Sequence, residues 1–268
     1  MAEESLEAIY QARLKKRAEL IKAGIDPYPA RTGRKETVAE ARKKKGKTVV
    51  VAGRLRGLRP HGAITFADLE DGSGRIQLLI KASTDRFDIG DLVEVAGRVI
   101  TTKAGELTVE VKKLHLLTKS LRPLPSEHFG LKDVEERYRR RYLDLLTNPA
   151  VRALFASRST VVSTVRQFLE GQGFIEVETP ILQNLAGGTL AKPFTTRNLA
   201  YDTDVFLRIS PELYHKRLIV GGFEKVYEFA KCFRNEGVDA THNPEFTNLE
   251  FYWAFTDYEQ MMSLVEEL

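Results

Sequence analysis

A change of hydrophobic period at residue 48 constrains the fold of this chain more than any other feature. From residue 48 to residue 119, apolar and polar residues alternate in short segments, as in strands that bury one face. The predicted strands are 48–57, 63–69, 74–80, 92–101 and 106–117. Turn-forming sequences such as Asp71-Gly72-Ser73-Gly74 and Lys103-Ala104-Gly105 separate them. Five short strands so close together favour a small closed barrel.

Such a barrel would be of the OB type, a frequent platform for oligonucleotides. The residues that could share its binding face are Arg59, Phe66, Gln77 and Glu106. An aromatic ring can stack on an unpaired base, and an amide can read the edge of that base. The alternation by itself favours Phe66 as a core residue over a binding residue. Many five-stranded barrels bind no nucleic acid, so the fold alone leaves the function open.

Composition narrows the class of protein. The 268 residues are 43% hydrophobic, which is too apolar for a disordered chain and long enough for two domains. We expect no membrane partner, because no run approaches 18 apolar residues, and the N-terminus lacks the apolar core of a secretory signal. Cys232 is the single cysteine, which excludes a disulfide framework and fits a cytoplasmic location.

The charge is concentrated at the N-terminus. Residues 1–47 carry a net charge of +6, whereas the whole chain carries +4. Helical spacing of apolar residues predicts a helix over 5–24, and a basic run follows at 42–45. A polyanionic partner and a solvated helix face explain this pattern equally well.

The region after the barrel reads as a second domain. Residues 121–125 form a linker, and helices are predicted at 135–146, which is rich in arginine, and at 150–170. A strand is predicted at 174–178 and ends before Pro180. A further helix is expected to begin at 210–212, with Ser210 as its N-cap.

Residues 224–255 hold the strongest candidate site. If a strand runs from 226 to 236, Arg234 and Glu236 share a face, and the next strand adds Phe246, Glu250 and Tyr252 to it. The opposite face is apolar as far as residue 255. Acid, base and aromatic groups on one concave face predict a ligand site. The alternative is an exposed sheet face with paired charges, in which residue 242 is a surface histidine.

These residues carry a resemblance to a family. The runs 233–237, 242–247 and 250–252 resemble the second signature motif of class II aminoacyl-tRNA synthetases, and residues 150–180 resemble the first. Within that class the whole chain is similar to the bacterial-type lysyl-tRNA synthetases. Further segments that carry the similarity are 24–29, 74–77, 121–125, 137–145 and 211–214. Lys192 departs from the pattern, because the family usually has arginine there.

The resemblance implies an α+β multidomain fold. An N-terminal helix and a five-stranded OB-type barrel would precede part of a class II antiparallel sheet flanked by helices. The implied divisions are a basic helical arm at 1–47, an anticodon-binding domain at 48–119, a linker with an arginine-rich helix at 120–149, and the first part of the catalytic domain at 150–268. The third class II motif, with the carboxylates that bind Mg²⁺, is expected beyond residue 268. We therefore expect an N-terminal fragment that holds no metal ligands and is inactive alone.

The resemblance also implies roles. The enzyme would activate L-lysine with ATP and transfer the lysyl group to tRNA(Lys), and the full-length protein would be a homodimer with Pro180 at its interface. The ATP-binding residues would be Arg234, which is also catalytic, Glu236, His242, Asn243 and Phe246. The lysine-binding residues would be Gly188, Glu212, Arg234, Glu250 and Tyr252. Arg59, Phe66, Gln77 and Glu106 would contact the tRNA anticodon, in particular its central uridine.

Two other functions remain open at this stage. The chain could be a non-catalytic module that binds a tRNA anticodon through its arm and barrel. It could also be an aspartyl- or asparaginyl-type synthetase, but many of those enzymes carry glutamine at the position of Glu212. Glu212 therefore favours lysine.

Overall fold

A computed structural model describes residues 2–125 and 131–268, with side chains from residue 5 onward. Residues 126–130, which fall in the predicted division 120–149, lie outside this description. The chain divides into two compact units, Met1–Pro149 and Ala150–Leu268. None of the described helices combines the length and apolar character that crossing a membrane requires.

The first unit contains the predicted barrel, which is confirmed. Its strands are β1 (Thr48–His61), β2 (Ile64–Asp71), β3 (Gly74–Ile80), β4 (Leu92–Thr101) and β5 (Leu107–Thr118). They close in the order β1-β2-β3-β5-β4, and β3 and β5 pair in parallel. Alternate residues of every strand point inward and form one core, for example Leu55, Leu69, Leu78 and Val95.

Two helices precede the barrel. Helix α1 (Ala2–Lys22) ends close to the predicted position, with Gly24 at a φ of +73°. Arg13 of α1 is almost fully buried and donates to the backbone oxygens of Ile89, Ser120 and Arg122, which fixes the helix against the barrel unit. Helix α2 (Val38–Arg42) begins with a capping box between Thr37 and Glu40.

The prediction of one continuous helix over 135–146 is wrong. The chain forms α3 (Val134–Arg139) and α4 (Arg141–Thr147), with a break at Arg140, whose φ and ψ are −114° and 49°. Arg137 and Arg141 both pair with the buried carboxylate of Asp144. The break lets arginines from two short helices reach one carboxylate.

The second unit is built on a hairpin. Strands β10 (Lys225–Phe233) and β11 (Glu245–Trp253) pair antiparallel, and β6 (Ile175–Glu176) pairs in parallel with β10. The predicted strand at 174–178 is therefore shorter than expected. Helices α5 (Pro149–Gly171) and α7 (Tyr258–Glu267) contribute Leu169 and Leu264 to the core of this unit.

A second small sheet and one helix complete this unit. The sheet consists of β7 (Leu182–Gln183), β9 (Thr203–Leu207) and β8 (Thr195–Asn198), in that order. Helix α6 (Glu212–Val220) follows and contacts both β10 and β11. Its N-cap is Pro211, not Ser210 as predicted, although the Ser210 hydroxyl still accepts the Glu212 backbone N–H at 3.1 Å.

Candidate functional site

The β10–β11 hairpin presents one polar and one apolar face, as the alternation predicts. On the apolar face, Leu249, Phe251 and Trp253 pack on the core of the second unit. Phe255 was expected there as well, and that expectation is wrong. The strand ends at Trp253, and Phe255 adopts a φ of 59° with 94% of its surface exposed.

Arg234 and Glu236 lie beyond the end of strand β10, so the expected strand to residue 236 is also wrong. The Arg234 backbone N–H donates to Pro244 O at 2.9 Å, which keeps the two chain segments together where the ladder ends. The Arg234 guanidinium lies over the Phe246 ring at 5.0 Å from its centroid. Its Nε is buried without a hydrogen-bond partner among the described residues. This orphaned donor is free to bind an acceptor from a ligand.

The predicted nucleotide residues line one cavity of about 230 Å³ next to this pair. Its walls include Arg234, Glu236, His242, Asn243 and Phe246. The Glu236 carboxylate accepts the Lys192 backbone N–H at 3.2 Å, and the Asn235 N–H donates to Lys192 O at 2.8 Å. The backbone of Lys192 therefore binds the loop that contains Asn235 and Glu236.

His242 stands at the exposed rim of this cavity. Its Nδ1 lies 2.8 Å from an Asp239 carboxylate oxygen. The backbone N–H of Thr241 and the His242 ring hold the pKa of the Asp239 carboxyl well below its usual range. His242 therefore faces solvent beside a carboxylate that stays ionised.

A second polar cluster surrounds Glu250. Its carboxylate accepts hydrogen bonds from Ser210 Oγ and Asn248 Nδ2, both at 2.8 Å, and from the Tyr252 hydroxyl at 3.3 Å. Burial and the nearby carboxylates of Glu250 and Glu212 raise the pKa of Tyr252, so its hydroxyl stays a donor. Among the described residues, no cation lies within ion-pair distance of Glu250. The cluster is therefore a partly buried anion that lacks a positive partner.

Gly188 and Glu212 border the same cluster. Gly188 has a φ of +93°, and a Cβ there would approach Glu212 Cβ at 3.0 Å and Ser210 Cβ at 3.1 Å. This position therefore requires glycine. The Glu212 carboxylate pairs with Lys216 one turn along α6 at 2.5 Å.

A buried ionic network below this cluster was missed by the sequence analysis. Glu228 is 4% exposed and binds Arg208 Nη1 at 2.6 Å, His215 Nε2 at 3.1 Å and Thr179 Oγ1 at 2.7 Å. The His215 ring meets the Tyr252 ring edge to face at 5.1 Å. The strand pattern could have indicated Glu228 as part of this site, since Glu228 lies directly opposite Glu250 in the hairpin register.

The four predicted barrel residues, Arg59, Phe66, Gln77 and Glu106, line one cavity of about 680 Å³ in the first unit. The assignment of Phe66 to the core is wrong, because Phe66 is partly exposed while Ala67 and Leu69 point inward. Arg59 pairs with Asp68 through both guanidinium Nη atoms, with 2.9 Å from Nη2 to Oδ1. A Cβ at Gly57 would come within 2.5 Å of Asp68 Oδ2, so glycine makes room for this pair.

Pro180 directly follows Thr179, whose hydroxyl binds Glu228. Pro180 is exposed, and its carbonyl accepts a hydrogen bond from Gln183 Nε2 at 3.1 Å. Within residues 2–125 and 131–268, no group of three or more His, Cys, Asp or Glu side chains is placed to hold a metal ion.

Comparison with known families agrees with both units. A family model described as tRNA synthetases class II (D, K and N) matches residues 133–268, and one described as an OB-fold nucleic acid binding domain matches residues 49–117. The first match covers about half of the chain. The chain belongs to the class II tRNA synthetase family (D, K and N).

The curated relatives name one member of that family. The lysine–tRNA ligase of Pelotomaculum thermopropionicum is 47% identical over 279 residues, which is 99% of this chain and 55% of the relative. That of Carboxydothermus hydrogenoformans is 47% identical, and that of Roseiflexus sp. (strain RS-1) is 50% identical. The Carboxydothermus alignment covers 100% of this chain and 58% of the relative. The Roseiflexus alignment covers 98% of this chain and 57% of the relative. The chain thus spans little more than half the length of these relatives.

Proposed function

We propose that the protein is a lysine–tRNA ligase, and that the Glu250 cluster recognises the side chain of L-lysine. The observation that carries this proposal is the partly buried Glu250 carboxylate, which has hydroxyl and amide donors around it and no cationic partner among the described residues. A buried anion is stabilised best by a charge that also donates hydrogen bonds. The ammonium of a lysine substrate meets both requirements. An aspartate side chain meets neither requirement, and an asparagine side chain donates hydrogen bonds but carries no charge.

The cavity at Arg234 and Phe246 is proposed to hold ATP. The adenine ring would stack on Phe246 opposite the Arg234 guanidinium, and Glu236 would accept a hydrogen bond from the adenine amino group. Arg234 would bridge the α-phosphate and the lysine carboxylate, because its planar fork suits two anions. Its orphaned Nε supports this role. His242 and Asn243 would lie near the β- and γ-phosphates.

The proposed reaction needs no covalent enzyme intermediate. A lysine carboxylate oxygen attacks the α-phosphorus of ATP, lysyl-adenylate forms and pyrophosphate leaves. The ribose hydroxyl at the end of tRNA(Lys) then attacks the activated carbonyl and releases AMP. Arg234 neutralises charge at the reacting phosphate, while Gly188 and Glu212 fix the α-carbon end of lysine, with Glu212 on its ammonium. Mg²⁺ would neutralise phosphate charge when bound.

The barrel cavity is proposed to bind the tRNA anticodon. Phe66 would stack on an unpaired base, while Arg59, Gln77 and Glu106 would contact the edges of bases. This cavity lies wholly within the first unit. It therefore also supports a second candidate function, a non-catalytic module that binds the anticodon of tRNA.

We further propose that the protein is a cytoplasmic homodimer with Pro180 at the interface. The buried free thiol of Cys232 fits a reducing compartment. Exposed apolar side chains on α5, Leu154 and Val161, support an interface in the second unit. Sedimentation at several protein concentrations tests the dimer, and a monomer at micromolar concentration would refute it.

Amino-acid-dependent exchange of pyrophosphate into ATP tests the proposed enzyme. The protein is expressed from its complete reading frame and assayed with lysine, aspartate and asparagine in parallel. We expect exchange with lysine only, and exchange with aspartate or asparagine would refute the lysine assignment. The 268-residue chain is assayed beside it. Specific binding of an anticodon stem-loop by both proteins, with exchange by neither, would support the binding module.

A further inference from the structure

The amide of Gln77 in the barrel cavity is held by a buried hydroxyl. Thr108 of β5 lies opposite Gln77 of β3 in the parallel register of these strands, so the two side chains share a face. Thr108 is fully buried, and its Oγ1 donates to Gln77 Oε1 at 2.8 Å. A second acceptor, Glu106 O, lies farther away at 3.2 Å. The hydroxyl has one proton, and the shorter distance assigns it to the amide oxygen.

This contact decides which end of the amide meets a ligand. Because Oε1 accepts the Thr108 proton, the Gln77 Nε2 group keeps its two N–H donors for the cavity. We propose that Thr108 is a positioning residue that sets the base specificity of the cavity by fixing the Gln77 amide. The inference rests on the proposed anticodon-binding function of this cavity and names a determinant of its selectivity.

The chemistry of the pyrimidines gives the expected preference. Uracil presents the carbonyl oxygen O4 at the position where cytosine presents an amino group. A fixed Nε2 donor can bond the uracil oxygen, but it meets the cytosine amino group donor to donor. Without the Thr108 hydroxyl the amide can turn over and offer Oε1 to cytosine. Removing the hydroxyl therefore weakens discrimination more than it weakens binding.

Binding of two RNAs to the 268-residue chain tests the inference. The RNAs are anticodon stem-loops that differ only in U or C at the middle anticodon position, and fluorescence anisotropy gives both dissociation constants. We expect the wild-type chain to prefer U. We expect Thr108→Val to reduce the U-over-C preference about fivefold, the size of one neutral hydrogen bond. Thr108→Ser restores the hydroxyl and should keep the preference.

Matched variants separate this effect from general damage to the barrel. Thr65→Val removes another buried hydroxyl, whose Oγ1 lies 3.3 Å from Thr84 Oγ1, and should leave the preference unchanged. Thr108→Ala serves if the valine variant fails to fold, which circular dichroism reports. A U-over-C preference retained by Thr108→Val, or by a folded Thr108→Ala, would overturn the inference and leave the proposed anticodon function standing. A wild-type chain with no preference, or with a preference for C, would overturn both.

Discussion

The assignment of lysine as the substrate depends on the negative charge of one residue, Glu250. Glu250→Gln keeps the shape of the side chain and its neighbours Ser210 and Tyr252, but removes the anion. In the protein expressed from its complete reading frame, we expect KM for lysine in pyrophosphate exchange to rise at least about 100-fold, because a buried ion pair is lost. KM for ATP should stay within about twofold, because the interaction that is lost is made with lysine and not with ATP.

Glu245→Gln is the matched control for that experiment. Glu245 lies on the same strand, with its side chain exposed and its nearest cation, Lys231, at 4.0 Å. Its neutralisation should leave both KM values unchanged. An equal rise of the lysine KM in both variants would show that the charge of the strand, and not the Glu250 cluster, attracts lysine.

Glu228 gives a second prediction at the residue scale, about stability. Burial raises the pKa of its carboxyl, but hydrogen bonds with His215 and Thr179 and the charge of Arg208 outweigh burial, so the pKa is lowered. Glu228→Gln leaves the Arg208 charge buried without its anion. We expect a loss of about 3–5 kcal/mol in the free energy of unfolding at pH 7.

The pH dependence of that loss follows from the lowered pKa. The stabilisation by Glu228 is fully present above the unfolded-state pKa, near 4.5, and is lost as the pH falls through the lower folded-state pKa. The difference in the free energy of unfolding between wild type and Glu228→Gln should therefore become smaller below about pH 4. Urea unfolding followed by the fluorescence of Trp253, the single tryptophan, reports this unit. If the difference in the free energy of unfolding became larger at acidic pH, the assigned contacts of Glu228 would be contradicted.

Residue patterns in the sequence identified the polar face of the hairpin but not what lies beneath it. Alternation assigns Glu250 and Tyr252 to one face because the strand period is two. His215 and Arg208 come from a helix and a loop distant in sequence, and only the fold brings them to Glu228. Charge neutralisation between distant segments leaves no local pattern. The strand pattern could place Glu228 on the face of Glu250, but it could not identify the partners that neutralise Glu228.

At the scale of elements, strand identity was predictable and strand ends were not. The barrel strands follow a local period, which the sequence displays. Strand β10 ends at Phe233 because its partner segment reaches Pro244, which has no N–H to donate to the ladder. Arg234 and Glu236 thus enter a loop, although alternation alone extends the strand to include them.

A bulge in β5, opposite Ala96 and Gly97 of β4, gives the prediction for this scale. The β4–β5 register shifts between Ala96 and Gly97, and a Cβ at Gly97 would overlap the backbone oxygen of Glu110. Gly97→Ala should separate the two strands locally and destabilise the barrel by about 2 kcal/mol or more. Hydrogen–deuterium exchange of peptides from residues 92–118 measures the loss of protection.

Gly72→Ala is the control for the bulge. Gly72 lies in the turn between β2 and β3, and a Cβ there would have no heavy atom within 4 Å. Its substitution should leave exchange in residues 92–118 as in the wild type. Equal exchange in wild type and Gly97→Ala would show that β4 and β5 absorb the extra methyl group without separating.

At the scale of the whole molecule, the distribution of charge connects sequence to function. Several cations of the basic arm are engaged in the fold, since Lys44 pairs with Glu36, Lys16 with Asp88, and Arg13 caps backbone oxygens. Lys43 and Lys45 of the basic run are exposed. Part of the positive charge of the arm therefore serves the structure, and exposed lysines of the basic run remain for a polyanion.

Salt dependence of RNA binding tests that division. Each lysine that neutralises a phosphate adds about 0.7–0.9 to the slope of log affinity against log salt concentration. The double variant Lys43→Ala, Lys45→Ala should reduce the slope for an anticodon stem-loop by up to about 1.8, and leave the U-over-C preference unchanged because phosphate contacts carry no sequence information. The double variant Lys112→Ala, Lys113→Ala makes the same change of net charge with exposed lysines of β5. Because net charge alone would lower both slopes equally, a smaller change in the β5 variant assigns the phosphate contacts to the basic run.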